Sequence, residues 1–166
     1  MLELIKKRRS IRKYTAEDVS DEQVRVMLEA AMAAPSANNI RPWHFVVVRD
    51  AGRRAELAKM KPWSRMCADA PVVFAVIGDS RASTHWIEDT SAATENLLLA
   101  AAGIGLGGVW VATYPQEDYE SLVRRTLGIP DDLRVLCLVA VGHPAEERAP
   151  RTQYDEGRVH REVWGG

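Results

Sequence analysis

The sequence predicts one domain of alternating helices and strands, an α/β or α+β fold. Three observations carry this. Four apolar, β-branched runs stand at 43–48, 71–77, 109–114 and 135–141. Around them lie stretches with helical spacing at 20–34, 52–60, 86–103 and 117–127. Proline or glycine marks the joints, at Pro35, Gly78, Gly105, Pro115 and Gly128. Periodicity does not order the strands.

Residues 2–9 read as a short helix that ends in a basic cluster. Ser20 caps a second helix, with Gln23 three positions on as its capping-box partner. The apolar face of that helix is Val24, Met27, Leu28 and Ala31, and Pro35 ends it. Trp43 to Val48 reads as a buried strand, 52–60 as a helix, and Pro71 to Ile77 as a second buried strand closed by Gly78 and Asp79. From Trp86 to Gly103 the chain is rich in alanine and leucine on nearly all sides, the mark of a helix buried in a core or an interface. Val109 to Tyr114 is a third strand. Residues 117–127 form a further helix, with Gly128 at its end and Pro130 just beyond. Val135 to Val141 is a fourth strand. The last 24 residues, from His143, are polar and without period. They read as an extended arm that packs on a partner subunit.

At 166 residues the chain buries a real core without staples, and 1–166 is expected to be a single domain. Two cysteines, Cys67 and Cys137, make no disulfide framework, and Cys137 sits in an apolar run as a small buried hydrophobe. No Cys/His group has metal-ligand spacing, so His143 and His160 are expected at the surface or in hydrogen bonds. No apolar run reaches membrane-spanning length, and the N-terminus lacks the apolar stretch and cleavage site of a signal peptide. A cytoplasmic location is expected. A net charge of −1 and the lack of a second basic stripe argue against nucleic acid.

Four segments bear on chemistry. Residues 7–14 put five cations and Ser10 into eight positions. Arg8, Arg9, Ser10 and Arg12 offer planar donor forks and a short hydroxyl that suit one phosphate; the alternative is a solvated basic helix face. In residues 35–43, Ser36, Asn38 and Asn39 present donors and acceptors suited to the edge of a heterocycle, or they cap their own loop. Gly103, Gly105 and Gly108 spell a formal G-x-G-x-x-G. It follows a helix and precedes a strand, the reverse of a dinucleotide fingerprint, so that reading is rejected. A glycine turn lying against a flat ring stays open. Beyond the last strand, Arg148 and Arg151 are candidates to close a phosphate site, against the alternative of an exposed arm. No serine stands in G-x-S-x-G, neither cysteine has a neighbouring histidine, and the spacing of Asp69, Asp79, Glu88 and Asp89 shows no acid pair. No side chain is therefore assigned a catalytic role. This is the profile of a protein whose cofactor does the chemistry.

The order of motifs resembles the FMN-dependent nitroreductase family: R-R-S-I-R-K-Y from Arg8, P-S-A-N-N-I-R-P-W-H-F from Pro35, D-T-S-A-A-T-E-N-L-L-L-A-A from Asp89, G-I-G-L-G-G-V-W from Gly103 and G-H-P-A-E-E from Gly142. The resemblance runs from about Leu4 to Trp164. It implies a three-layer α+β sandwich, a mainly antiparallel sheet between helices, in an intertwined homodimer with two FMN sites at the interface. The helix from Trp86 then belongs to the dimer interface, and the C-terminal arm reaches the other subunit. By motif, Arg8, Arg9, Ser10 and Arg12 match the phosphate and ribityl contacts. Ser36, Asn38 and Asn39 match a loop that meets the flavin ring from the partner. Gly107 and Gly108 match the glycine turn beside the ring, and Arg151 matches a cation near the phosphate. Arg41 departs from the family's usual glutamine, and the segment between 50 and 85 is short. The implied activity is transfer of a hydride from NAD(P)H to FMN and then reduction of a nitroaromatic or quinone, in ping-pong order. The alternatives are a flavin-binding protein without turnover, or a specialised reductive or flavin-fragmenting member of the same family.

Overall fold

Two strands buried on both faces organise the chain, whose computed structural model describes residues 1–165. They are β2 (Val72–Gly78) and β4 (Arg134–Gly142), and they lie at the centre of a four-stranded sheet. The edges are β1 (Trp43–Val48) and β3 (Gly107–Ala112). The order is β1-β2-β4-β3, and every neighbouring pair is antiparallel. Helices cover both faces of the central strands, so these strands are apolar without alternation. On one side α2 (Asp21–Met32) and α5 (Trp86–Gly103) pack on Val72, Phe74, Val76, Val139 and Val141. On the other, α3 (Ala51–Leu57), α4 (Met66–Asp69) and α6 (Glu117–Leu127) pack on Val73, Ala75, Ile77, Leu138 and Ala140. This is the three-layer α+β sandwich.

Local signals place the helices. The Ser20–Gln23 capping box opens α2, and Gly128 at φ 69° closes α6 in the left-handed conformation. Four readings need correction. The first helix, α1 (Leu2–Lys7), stops before the arginines, because Arg8 is already extended. The strand β1 is an edge, with His44 and Val47 exposed, rather than buried throughout. The third helix ends at Leu57, and the single turn α4 is too short to leave a periodic trace. Finally, β3 starts two residues early, so Gly107 and Gly108 are strand residues and not a turn.

The reason for those two glycines is close packing. A Cβ on Gly107 would lie 2.8 Å from Ile11 Cβ, and one on Gly108 would lie 2.9 Å from Leu98 Cδ2. The basic segment therefore docks directly on β3. Ser10 pairs with Gly108 in a parallel bridge, and Ile11 N–H donates to Gly108 O at 3.1 Å. Farther along, Tyr14 bridges Pro144, Thr15 N–H donates to His143 O at 2.9 Å, and Ala145 N–H donates to Lys13 O at 2.9 Å. The Tyr14 hydroxyl lies 2.7 Å from Ile11 O and 3.0 Å from Ala140 O. Burial pushes its pKa far up, which keeps it a donor.

One buried charge ties α6 to the sheet. Glu120 is fully buried, and its Oε1 accepts from Arg134 Nη2 at 2.6 Å. Its Oε2 accepts from Arg134 Nε and from Val135 N–H, each at 3.0 Å. Arg134 in turn stacks over Tyr114 at 4.9 Å, and Tyr114 meets Trp86 edge-on at 5.0 Å. Removing one partner of a buried pair strands the other. Glu120→Ala is thus expected to lower unfolding free energy by about 3–5 kcal/mol, read from urea denaturation. A loss below about 1 kcal/mol, the scale of a surface pair, would contradict this account of the cluster.

Candidate functional site

The docking of residues 8–15 leaves a cavity of about 720 Å³ between the basic segment, the end of α5, the start of β3 and the segment after β4. That volume is in the range of small-molecule and cofactor sites. Its charged lining is Lys7, Arg8, Arg9 and Arg148 against Glu146 and Glu147, four cations to two carboxylates. Its apolar wall includes Ile11, Leu98, Leu106 and Pro144. Such a lining suits a ligand with an anionic end and a flat apolar body.

The cations are held from behind. Arg8 Nε lies 3.1 Å from Glu95 Oε1 on α5, an ion pair without hydrogen-bond direction. Arg9 Nη1 donates to Ala149 O on the arm. The Nε atoms of both arginines are buried and make no hydrogen bond. Glu146 Oε2 accepts from Arg148 Nε at 3.1 Å and Nη2 at 2.7 Å, while its Oε1 accepts from Arg12 N–H at 2.7 Å. The Arg12 N–H, and beyond it Arg148, hold the Glu146 carboxyl below the usual carboxylate range. Two arginines on the wall of a net positive cavity fit the phosphate of the FMN implied by the sequence motifs.

Of the residues singled out by sequence, the structure brings Arg8, Arg9, Gly107 and Gly108 to this cavity, together with Arg148. Ser10 and Arg12 neighbour it through their backbone, Ser10 on Gly108 and Arg12 on Glu146. The side chain of Arg151 is exposed and off the wall, and its N–H donates to Lys6 O at 2.9 Å.

Ser36, Asn38 and Asn39 lie elsewhere. Their loop holds Asn38, Asn39 and Arg41 at φ between 52° and 56°, the left-handed region that asparagine tolerates and arginine seldom adopts. Ser36 Oγ accepts from Arg41 N–H at 2.9 Å. Asp89, buried in the first turn of α5, accepts from Ala37 N–H at 2.9 Å and from Ser83 Oγ at 3.2 Å. Asp89 and the cavity residue Ala102 are thirteen positions apart on one straight helix, about 20 Å. Within one chain the two constellations stay apart.

Sequence reasoning missed Glu146, Glu95 and Asp89 as supports. Asp79 likewise caps its own turn, accepting from Arg81 N–H at 2.9 Å. Burial pushes the Cys67 thiol up to about 12 and the Cys137 thiol higher still, which leaves no reactive thiolate. Among the described residues no His/Cys/Asp/Glu group can hold a metal, and no helix is long and apolar enough to cross a membrane.

Comparison with known proteins places the fold in a family. The sequence model described as "Nitroreductase family" matches residues 5–65 and 52–143. A Methanothermobacter thermautotrophicus protein, provisionally named NADH dehydrogenase/NAD(P)H nitroreductase, is 41% identical over 167 residues, covering 99% of this chain and 87% of its own. The solved FMN-dependent nitroreductase of Clostridium difficile R20291 superposes with a TM-score of 0.94 at 30% identity, covering 98% of this chain and 99% of its own. The NADPH:FMN oxidoreductase of Vibrio harveyi complexed with NAD+ superposes with a TM-score of 0.87 at 27% identity, covering 99% of this chain and 78% of its own. With the family model matching residues 5–143 and the three-layer sandwich in place, the chain belongs to the nitroreductase family.

Proposed function

We propose that the chain is an FMN-dependent oxidoreductase that takes electrons from NAD(P)H and reduces nitroaromatics, quinones or similar acceptors. The observation that carries this reading is the cavity that unites the basic segment with the glycine start of β3 in a nitroreductase-family fold. The names of its relatives support it. Arg8 and Arg9 hold the phosphate, with Ser10 and Arg12 alongside. Gly107 and Gly108 form the wall offered to the ring. When bound, FMN supplies a ring that accepts a hydride and passes electrons on, chemistry no side chain of the cavity provides. The chain's part is to bind, to orient and to exclude water.

The reading extends to a homodimer of single-domain chains, 1–166, in the cytoplasm. Ser36, Asn38 and Asn39 serve the cavity of a second copy, which resolves their distance from their own. The arm supports this, since Tyr154, Val163 and Trp164 are left 79%, 68% and 89% exposed. Exposed aromatic surface of that extent calls for a cover.

Three outcomes are expected. Replacing Arg8 and Arg9 together by alanine weakens FMN binding at least about tenfold, since charge-assisted hydrogen bonds contribute about 1.5–3 kcal/mol each. Free-flavin fluorescence on dilution of the purified protein reads this, and unchanged retention would remove the assignment. With NAD(P)H and a quinone, initial rates plotted as double reciprocals give parallel lines, because donor and acceptor share one site. Intersecting lines would require a second site, and bound FMN without turnover would reduce the protein to a flavin binder. In light scattering, the intact chain runs as a dimer and a chain lacking residues 153–166 shifts toward monomer. An intact monomer with full FMN would refute the shared site.

A further inference from the structure

We propose that Asp89 is a positioning residue that acts across the dimer: a buried carboxylate of one protomer sets how Asn38 and Asn39 meet the flavin ring held by the other. The proposal rests on the reading in which the Ser36–Asn39 loop serves the cavity of a second copy. The two asparagines are exposed, and the hydrogen bonds that fix their loop use other groups. Asn39 N–H donates to Ser36 O at 3.0 Å, Ile40 N–H to Ala37 O at 3.1 Å, and Arg41 N–H to Ser36 Oγ at 2.9 Å. Among the described residues neither asparagine amide takes part, so they do not cap their own loop. Each is left with a carbonyl and an amide to offer outward, the pairing that suits the edge of a heterocycle.

A left-handed backbone at Asn38 and Asn39 persists only where its surroundings over-determine it. The chain from Asp79 to Asp89 supplies that at both ends of the loop. Asp79 N–H donates to Pro42 O at 2.9 Å, and Ala37 N–H donates to Asp89 Oδ1 at 2.9 Å. Of these two clasps only the second uses a side chain. Asp89 is 6% exposed, and its other oxygen accepts from Ser83 Oγ at 3.2 Å. Ser83 is buried as well, and its Oγ accepts from His85 N–H at 3.1 Å. A carboxylate with both oxygens taken has one orientation, and Ala37 is the residue next to Asn38. The buried pair thus transmits the direction of α5 to the two asparagines. Small misplacements of positioning groups are costly to turnover.

The test reads FMN retention, by flavin fluorescence on dilution, and kcat/KM for a quinone with NAD(P)H. In Asp89→Ala, kcat/KM is expected to fall about tenfold, while FMN retention stays within about threefold because Arg8 and Arg9 are untouched. Asp89→Asn keeps an amide oxygen for the Ala37 N–H and is expected to recover to within about threefold of the wild type. Mixed dimers decide whether the effect crosses the interface. One chain carries Asp89→Ala, the other carries Arg8→Ala with Arg9→Ala, and two affinity tags select the mixed species. The sound cavity of the first then meets the sound loop of the second, so one of two equivalent sites is complete, and about half of wild-type turnover is expected. Ser83→Ala frees one carboxylate oxygen, costs about threefold, and replaces Asp89→Ala in the mixed dimer should that chain not fold. Mixed-dimer turnover no higher than the mean of the two parents overturns the proposal. So does FMN retention that falls as far as kcat/KM, since that marks a structural defect. Equal losses in Asp89→Asn and Asp89→Ala overturn the role of the Ala37 clasp. A wild-type protein that holds no FMN, or an Arg8→Ala, Arg9→Ala chain that holds it fully, defeats the parent reading instead.

Discussion

The site depends on one contact, the seating of Ile11 against a strand that has no side chain at Gly107. Any Cβ there would push the basic segment off the sheet. With Ile11 in place, the backbone bridge from Ser10 to Gly108 follows, and Tyr14, three residues on, is half-buried with its hydroxyl on Ile11 O and Ala140 O. The register of Arg8 and Arg9 relative to the cavity is set by packing. Electrostatics then acts on groups already in position, which is the condition under which charge-assisted bonds give most affinity.

The length of α5 sets a second constraint. Its first turn anchors the Ser36–Asn39 loop through Asp89, and its last turns line the cavity. A rigid helix keeps the loop and the cavity of one chain separate while fixing both. The left-handed residues of that loop carry backbone strain of about 1–3 kcal/mol each, which persists because the buried carboxylate and the Ser36 hydroxyl hold the turn.

What the sequence disclosed and what it withheld separate by range. Caps are local, so Ser20 with Gln23, and Gly128, placed helix ends correctly. The helix from Trp86 to Gly103 was legible because its composition needs nothing else to declare burial. The start of β3 was not, because glycine is a poor strand former and only pairing with Gly142 and Val141 of β4, distant in the chain, makes it one. Arg8 and Arg9 were legible as a charge cluster. Which of Arg148 and Arg151 lines the cavity was not, because an irregular arm has no period to read. Glu146 and Asp89 stayed hidden for a related reason: each accepts from a backbone N–H 134 and 52 residues away, respectively.

The cavity joins segments far apart in the sequence, residues 7–11 and 144–150, across the end of α5 and the start of β3. During synthesis the N-terminal arginines emerge first and stay without their counterpart until the segment after β4 has left the ribosome. A chain interrupted just after β4 keeps all four strands but lacks one wall of the cavity. Folding of the sheet and completion of the cavity are thus separate events in time.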